Sequence, residues 1–283
     1  MIKIFVTRPV PEAGLKMLRE KGYEVAVNEA ARDRAATKKE LLTGVRDADA
    51  LLSVLTDQIT AETMDAGLPT LKIIANYAVG FDNIDIGAAE QRNIMVTNTP
   101  DVLTDTVAEH TFALMLAIAH RISEADRFSR AGKYHAWGPK LLLGTNLSGK
   151  VLGIVGLGRI GSRVAHHAVK GFDMKIVYYD PKQNMEFEKE YGAIYTASID
   201  ELLPQCDFVS IHVPLLDSTH HLIDEARLKK MKTSAYLINT SRGPIIDEKA
   251  LALGLSGGWI RGAAIDVFEF EPKITPELKE LDN

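Results

Sequence analysis

The stretch Val151–Gly161, VLGIVGLGRIG, constrains this chain more than any other. An apolar run ends in Gly156, Gly158 and Gly161, spaced G-x-G-x-x-G, and the residues that follow, RIGSRVAHHAVKG, have the pattern of a helix. A second apolar run, MKIVYYD, closes on Asp180, 19 residues after Gly161. Strand, glycine turn, helix, strand and acid in that order make a βαβ unit able to hold a dinucleotide. The first glycine permits the tight turn, the second lets the backbone approach a pyrophosphate, and the third lets helix and strand pack closely. The helix start then offers N–H groups and the positive end of its dipole. Leu157, Arg159 and Ile160 complete the turn as cofactor-binding candidates. Asp180 would accept hydrogen bonds from ribose hydroxyls and repel a 2′-phosphate, favouring NAD(H) over NADP(H), whereas the nearby Lys182 opposes that preference.

The rest of the chain repeats the same alternation. Before the glycine turn, IKIFV (2–6), YEVAV (23–27), ADALLSVL (48–55), LKIIAN (71–76) and NIMVTN (93–98) read as short strands, with helical patterns such as PEAGLKMLREKG and TKKELLTGVRD between them. After it come KVLGIV (150–155), MKIVYYD (174–180), CDFVSIHV (206–213), SAYLINT (234–240) and RGAAIDVF (261–268). Strands alternating with helices predict α/β architecture, with parallel sheets covered on both faces. At 283 residues there is room for two such domains. Between the blocks, PDVLTDTVAEHTFALMLAIAHRI predicts a long boundary helix. Thr106 and Glu109 have capping-box spacing there, and Val107, Thr111, Leu114, Met115 and Ile118 share one stripe. The Gly-rich run 129–149 predicts a loop on one face of the second domain.

Charge and composition exclude other classes. Net charge is −5, and the densest basic stretch, LKKMK (228–232), suits a solvated helix end rather than a nucleic-acid patch. The single cysteine, Cys206, lies beside an apolar run and fits a buried residue in a reducing cytoplasm. MIKIFVTRPV has too short an apolar region for a signal peptide, and no run has the length of a membrane span.

Two further segments carry chemistry. INTSRGPIID places Arg242 just after a strand, at the end where open α/β sheets bind ligands. Its guanidinium suits a carboxylate or a structural salt bridge equally. AAIDVFEFEP gathers Asp266, Glu269 and Glu271 at another strand end. Such a cluster suits a solvated rim, or a carboxylate that orients an imidazole.

The segments ANYAVGFDNID, PDVLTDTVAEHTFALMLA, VLGIVGLGRIG, CDFVSIHVPLLDSTHHLI, MKTSAYLINTSRGPIIDEKAL and GAAIDVFEFEP together resemble the D-isomer-specific 2-hydroxyacid dehydrogenases, most closely their glyoxylate/hydroxypyruvate reductase branch. The resemblance implies a flavodoxin-like substrate domain (1–99) and a Rossmann NAD-binding domain (100–283) that includes the linking helix near 101–121. It implies NAD(H)-dependent reduction of a small 2-oxo acid. Arg242 is then the residue that binds the substrate carboxylate and polarises the keto oxygen. Glu271, 29 residues later and just before Pro272, is the catalytic glutamate, with Glu269 a bystander. Val79 and Gly80 supply amides to the carboxylate, and Leu55 lines the small pocket. Asp266 holds the nicotinamide carboxamide, and Thr104, Thr219, Thr240 and His212–Val213–Pro214 lie along the cofactor. No metal is assigned.

The resemblance also implies a catalytic histidine on a strand directly after LDN, so this chain is expected to be cut before that residue and before a last helix that returns to the first domain. It implies a homodimer formed through the 129–149 region and the long helix, with Trp137 near the partner's pocket or packed in its own loop. Competing readings are dehydrogenases of D-lactate, 3-phosphoglycerate or formate, and an NAD-sensing corepressor that binds peptide motifs.

Overall fold

The computed structural model describes residues 1–283 as two units, Met1–Leu103 and Thr104–Asn283. The first holds β1 (Lys3–Val6), β2 (Glu24–Val27), β3 (Ala50–Val54), β4 (Ile73–Tyr77) and β5 (Met95–Thr97). All their pairings are parallel, in the order β2-β1-β3-β4-β5. That is the flavodoxin-like doubly wound order. Leu51, Ile74, Val45, Met64 and Leu71 are fully buried against its helices. The helix Lys38–Gly44 starts with a complete capping box between Thr37 and Glu40.

The second unit holds β6 (Val151–Val155), β7 (Lys175–Tyr179), β8 (Ile194–Tyr195), β9 (Phe208–Ile211), β10 (Tyr236–Asn239) and β11 (Gly262–Ile265). They are parallel throughout and ordered β8-β7-β6-β9-β10-β11, the Rossmann sequence 3-2-1-4-5-6. Its central strands are buried on both faces, which is why they read as continuous apolar runs. Successive residues alternate between two cores. Leu152, Ile154, Phe208, Tyr236 and Ile238 join Phe112, Met115, Val164 and Ala168 of the helices Thr104–Ala119 and Arg159–Phe172. Val155, Val209, Ile211 and Leu237 join Leu202, Leu228 and Leu251 on the opposite face.

Three local features differ from the sequence reading. The boundary helix begins at Thr104, so Thr106 lies inside its first turn and does not cap it. A separate helix, Ile122–Arg130, follows a break at Arg121, whose φ is +56°. The break is enforced from outside. Thr145 N–H donates to the Ala119 carbonyl at 2.8 Å, and a Cβ on Gly144 would stand 2.6 Å from that oxygen, so the returning chain occupies the place where the helix would continue. The short strand β8 carries too little apolar sequence to register as a strand. Cys206 is buried, with its thiol pushed up to about 12 by burial. No helix is long and apolar enough to cross a membrane.

Candidate functional site

In the second unit the sequence-predicted residues gather at the carboxyl ends of β6, β7, β9, β10 and β11. β6 and β9 are neighbours and mark the switch point of the sheet, where open α/β sheets bind ligands. Gly156 has φ +96°, a conformation that only glycine adopts without strain. A Cβ on Gly161 would lie 2.1 Å from the Gly156 carbonyl oxygen, so the helix Arg159–Phe172 packs against the turn only because residue 161 has no side chain. A Cβ on Gly158 would meet nothing within 4 Å, so the backbone there is open to a close approach. The first intrahelical bond runs from Ser162 N–H to the Gly158 carbonyl. The amides of Arg159, Ile160 and Gly161 precede it, in the first turn, where N–H groups have no helical acceptor. These residues fit the pyrophosphate of a dinucleotide.

Asp180 is fixed beside that turn. Its Oδ2 accepts from Leu157 N–H at 2.9 Å and its Oδ1 from Lys182 N–H at 3.1 Å. Each carboxylate oxygen keeps a lone pair for a ribose hydroxyl. The following turn is held by the buried Tyr178 hydroxyl, which accepts from Asn184 N–H at 2.8 Å and donates to Glu188 at 2.7 Å. Leu157, Asp180, Lys182, Gln183 and Met185 line a depression next to it.

The loops after β9, β10 and β11 lock onto one another. A Cβ on Gly156 would stand 2.9 Å from the His212 carbonyl and from Val213, placing His212–Val213–Pro214 against the glycine turn. The Thr219 hydroxyl closes this loop, donating to the Pro214 carbonyl at 2.7 Å and accepting from Leu216 N–H at 2.8 Å. Thr240 Oγ1 lies 3.0 Å from Thr111 Oγ1, on the helix that Thr104 begins. Ser241 donates to the Val213 carbonyl, and Arg242 Nη1 to the Ser241 carbonyl at 2.7 Å. A Cβ on Gly243 would stand 1.9 Å from the Phe268 carbonyl carbon, so the Arg242 loop lies directly on the Phe268–Glu271 segment. Glu271 is exposed and accepts from Phe268 N–H at 2.9 Å.

Three partnerships here were not read from the sequence. Asp266 Oδ1 lies 3.2 Å from His110 Nε2. Glu269 Oε1 lies 2.8 Å from His221 Nε2. Glu269 and the buried Glu248 also exchange backbone bonds: Glu269 N–H donates to Glu248 Oε1 at 2.6 Å and Glu248 N–H to Glu269 Oε2 at 3.2 Å. Thr275 donates to Glu248 as well, so these two acids anchor the segment that carries Glu271. These pairs join residues far apart in sequence, and only the strand order brings them together.

In the first unit, Leu55, Val79 and Gly80 follow β3 and β4, at the carboxyl edge of their own sheet. The Val79 carbonyl accepts from Asn98 Nδ2 at 2.7 Å and the Gly80 carbonyl from Asn76 Nδ2 at 2.9 Å. Leu55 is 37% exposed.

Burial pushes the His212 imidazole down to about 3, and its Nε2 lies 2.8 Å from Ser210 Oγ. The ring is neutral at pH 7. In the unfolded chain it takes up a proton near pH 6.5, while the folded protein refuses it until pH approaches 3. The unfolded state therefore binds more protons in that window, and stability is lost as pH falls through it. The drop in unfolding free energy from pH 7 to pH 4, followed by urea titration, is expected to be smaller in His212→Asn than in the parent; an equal drop would show that the ring does not titrate this way.

Comparison with known proteins agrees with this geometry. The sequence profile described as D-isomer specific 2-hydroxyacid dehydrogenase, NAD binding domain, matches residues 112–283. The chain is 52% identical over 284 residues to a glyoxylate reductase of Thermofilum pendens, covering 99% of this chain and 82% of that protein. It is 50% identical over 285 residues to a glyoxylate reductase of Korarchaeum cryptofilum, covering 99% and 83%. Among solved structures, the TT0316 protein of Thermus thermophilus superposes with a TM-score of 0.91 at 41% identity, covering 99% of this chain and 87% of that one. The chain belongs to the D-isomer-specific 2-hydroxyacid dehydrogenase family, in its glyoxylate reductase branch, and is an NAD-dependent oxidoreductase.

Proposed function

We propose that this chain reduces a small 2-oxo acid, glyoxylate or hydroxypyruvate, to the D-2-hydroxy acid. The observation that carries the reading is the seating of the Arg242 loop on the Glu271 segment, at the carboxyl edge of a sheet whose glycine turn fits a dinucleotide. The names of the Thermofilum and Korarchaeum relatives support the choice of substrate. When bound, NADH supplies the hydride that reduces the keto carbon. Arg242 binds the substrate carboxylate through its planar fork and polarises the keto oxygen. Val79 and Gly80 add backbone amides to the carboxylate, and Leu55 limits the size of the substrate's side chain. Glu271 is the carboxylate that orients the imidazole of the proton donor, as the family resemblance implies.

The test is a panel of 2-oxo acids compared by kcat/KM with NADH. Glyoxylate or hydroxypyruvate is expected to rank above pyruvate and 3-phosphohydroxypyruvate, and the opposite order would overturn the substrate choice. Arg242→Gln is expected to lower kcat/KM by about 10³-fold or more, the loss of two charge-assisted hydrogen bonds, with NADH affinity held within a few fold. Unchanged turnover in that variant would remove Arg242 from the site.

Preference for NADH over NADPH is assigned to Asp180. A carboxylate held by two backbone amides cannot swing away from a 2′-phosphate. Asp180→Ala is expected to narrow the ratio of kcat/KM values for the two cofactors by about tenfold or more, roughly 1.4 kcal/mol of lost discrimination. Equal use of both cofactors by the parent would contradict the assignment.

A homodimer is part of the same reading. Trp137 is 78% exposed, and Tyr134 and Leu143 are exposed beside it in sequence, along a stretch without helix or strand. Aromatic residues are enriched at subunit interfaces, and their exposure here supports that reading. Light scattering is expected to return about twice the 31.1 kDa chain mass; a monomer at micromolar concentration would refute the dimer.

A further inference from the structure

At the end of β4, three consecutive backbone carbonyls are each taken by a donor from the protein. Thr99 N–H donates to the Ala78 carbonyl at 2.9 Å. Asn98 Nδ2 donates to Val79 at 2.7 Å, and Asn76 Nδ2 to Gly80 at 2.9 Å. In a trans peptide the carbonyl and the next N–H point in opposite directions. Holding the Ala78 carbonyl therefore aims the Val79 N–H away from Thr99, and holding the Val79 carbonyl aims the Gly80 N–H away from Asn98. The Gly80 carbonyl, held by Asn76, fixes the plane that follows.

Asn76 is itself immobilised. It is 2% exposed, its Oδ1 accepts from Ser53 Oγ at 2.9 Å, and its Nδ2 also donates to Asn83 Oδ1 at 3.0 Å. Asn83 in turn donates to the Asp57 carbonyl at 3.0 Å and to Val54 at 3.2 Å. A rotation of the Asn76 amide would break bonds to β3, to the loop and to Asn83 together. Buried polar networks of this kind persist when every member is satisfied, and they hold one geometry.

We infer that Asn98 and Asn76 are positioning residues that preset the Val79 and Gly80 amides as an anion-binding pair for the carboxylate of the 2-oxo acid. The inference rests on the reading that Val79 and Gly80 meet that carboxylate. Donors fixed before the substrate arrives need no ordering on binding, so affinity depends on the asparagines that fix them. Asn98 is the more informative of the two to change, because it is only partly buried and lies in a loop after β5, outside the Ser53–Asn76–Asn83 network.

The experiment is a titration of the NADH-bound protein with oxamate, an isostere of a small 2-oxo acid, followed by the ¹⁵N–¹H signals of Val79 and Gly80. In the parent both signals are expected to shift with oxamate. In Asn98→Ala the oxamate Kd is expected to rise about tenfold, the worth of one hydrogen bond, while the NADH Kd stays within twofold. Asn98→Asp, which turns an acceptor toward the Val79 carbonyl, is expected to be weaker still. Parent signals that ignore oxamate would overturn the carboxylate reading, and the inference with it. Parent signals that respond, with an oxamate Kd unchanged in both variants, would overturn the inference alone. A parallel loss of NADH affinity would assign Asn98 a merely structural role and overturn it equally.

Discussion

The approach of Gly161 to the Gly156 carbonyl is the contact on which the cofactor end depends. Any side chain at 161 would push the helix Arg159–Phe172 off β6, and with it the first-turn amides that a pyrophosphate needs. The same turn supplies Leu157 N–H to Asp180, so the glycine turn and that carboxylate are one hydrogen-bonded unit. On its other side Gly156 bears against the His212 backbone, which sets the path of the loop after β9. One close contact therefore passes its geometry to three strand ends. The contact itself is possible because parallel strands buried on both faces leave their turns no room to shift.

The two units solve a similar problem by different means. In both, polar backbone groups at the carboxyl edge of a parallel sheet must be satisfied while some stay available to a ligand. In the second unit, helix geometry keeps the first-turn amides out of the helix's own i→i−4 ladder. In the first unit, side-chain amides take the carbonyls and thereby orient the N–H groups. The acids near Glu271 follow a third pattern. Glu248 and Glu269 anchor the segment through backbone bonds and His221, whereas Glu271 is exposed. The residue dismissed as a bystander thus has a structural task of its own.

Most of the fold was legible because it is periodic. Ten of the strands stood out as short Val- and Ile-rich runs, and the glycine spacing with Asp180 identified the dinucleotide unit without reference to any relative. β8 escaped because two residues carry no period. The break at Arg121 escaped because its cause lies in Gly144 and Thr145, distant in sequence from the helix they stop. The roles of Arg242, Glu271, Val79 and Gly80 came from family resemblance rather than from spacing. Arg242 alone suits a structural salt bridge as well as a substrate. The asparagine scaffold beneath Val79 and Gly80 left a faint trace, since Asn76 and Asn83 are polar residues among apolar neighbours. Only the pairing of β3, β4 and β5 shows what they hold.

The proposed activity has NADH deliver its hydride to one face of a 2-oxo acid. The most direct test is the configuration of the glycerate formed from hydroxypyruvate and NADH, read by chiral chromatography. The account predicts D-glycerate alone, and L-glycerate or a racemic product would contradict it.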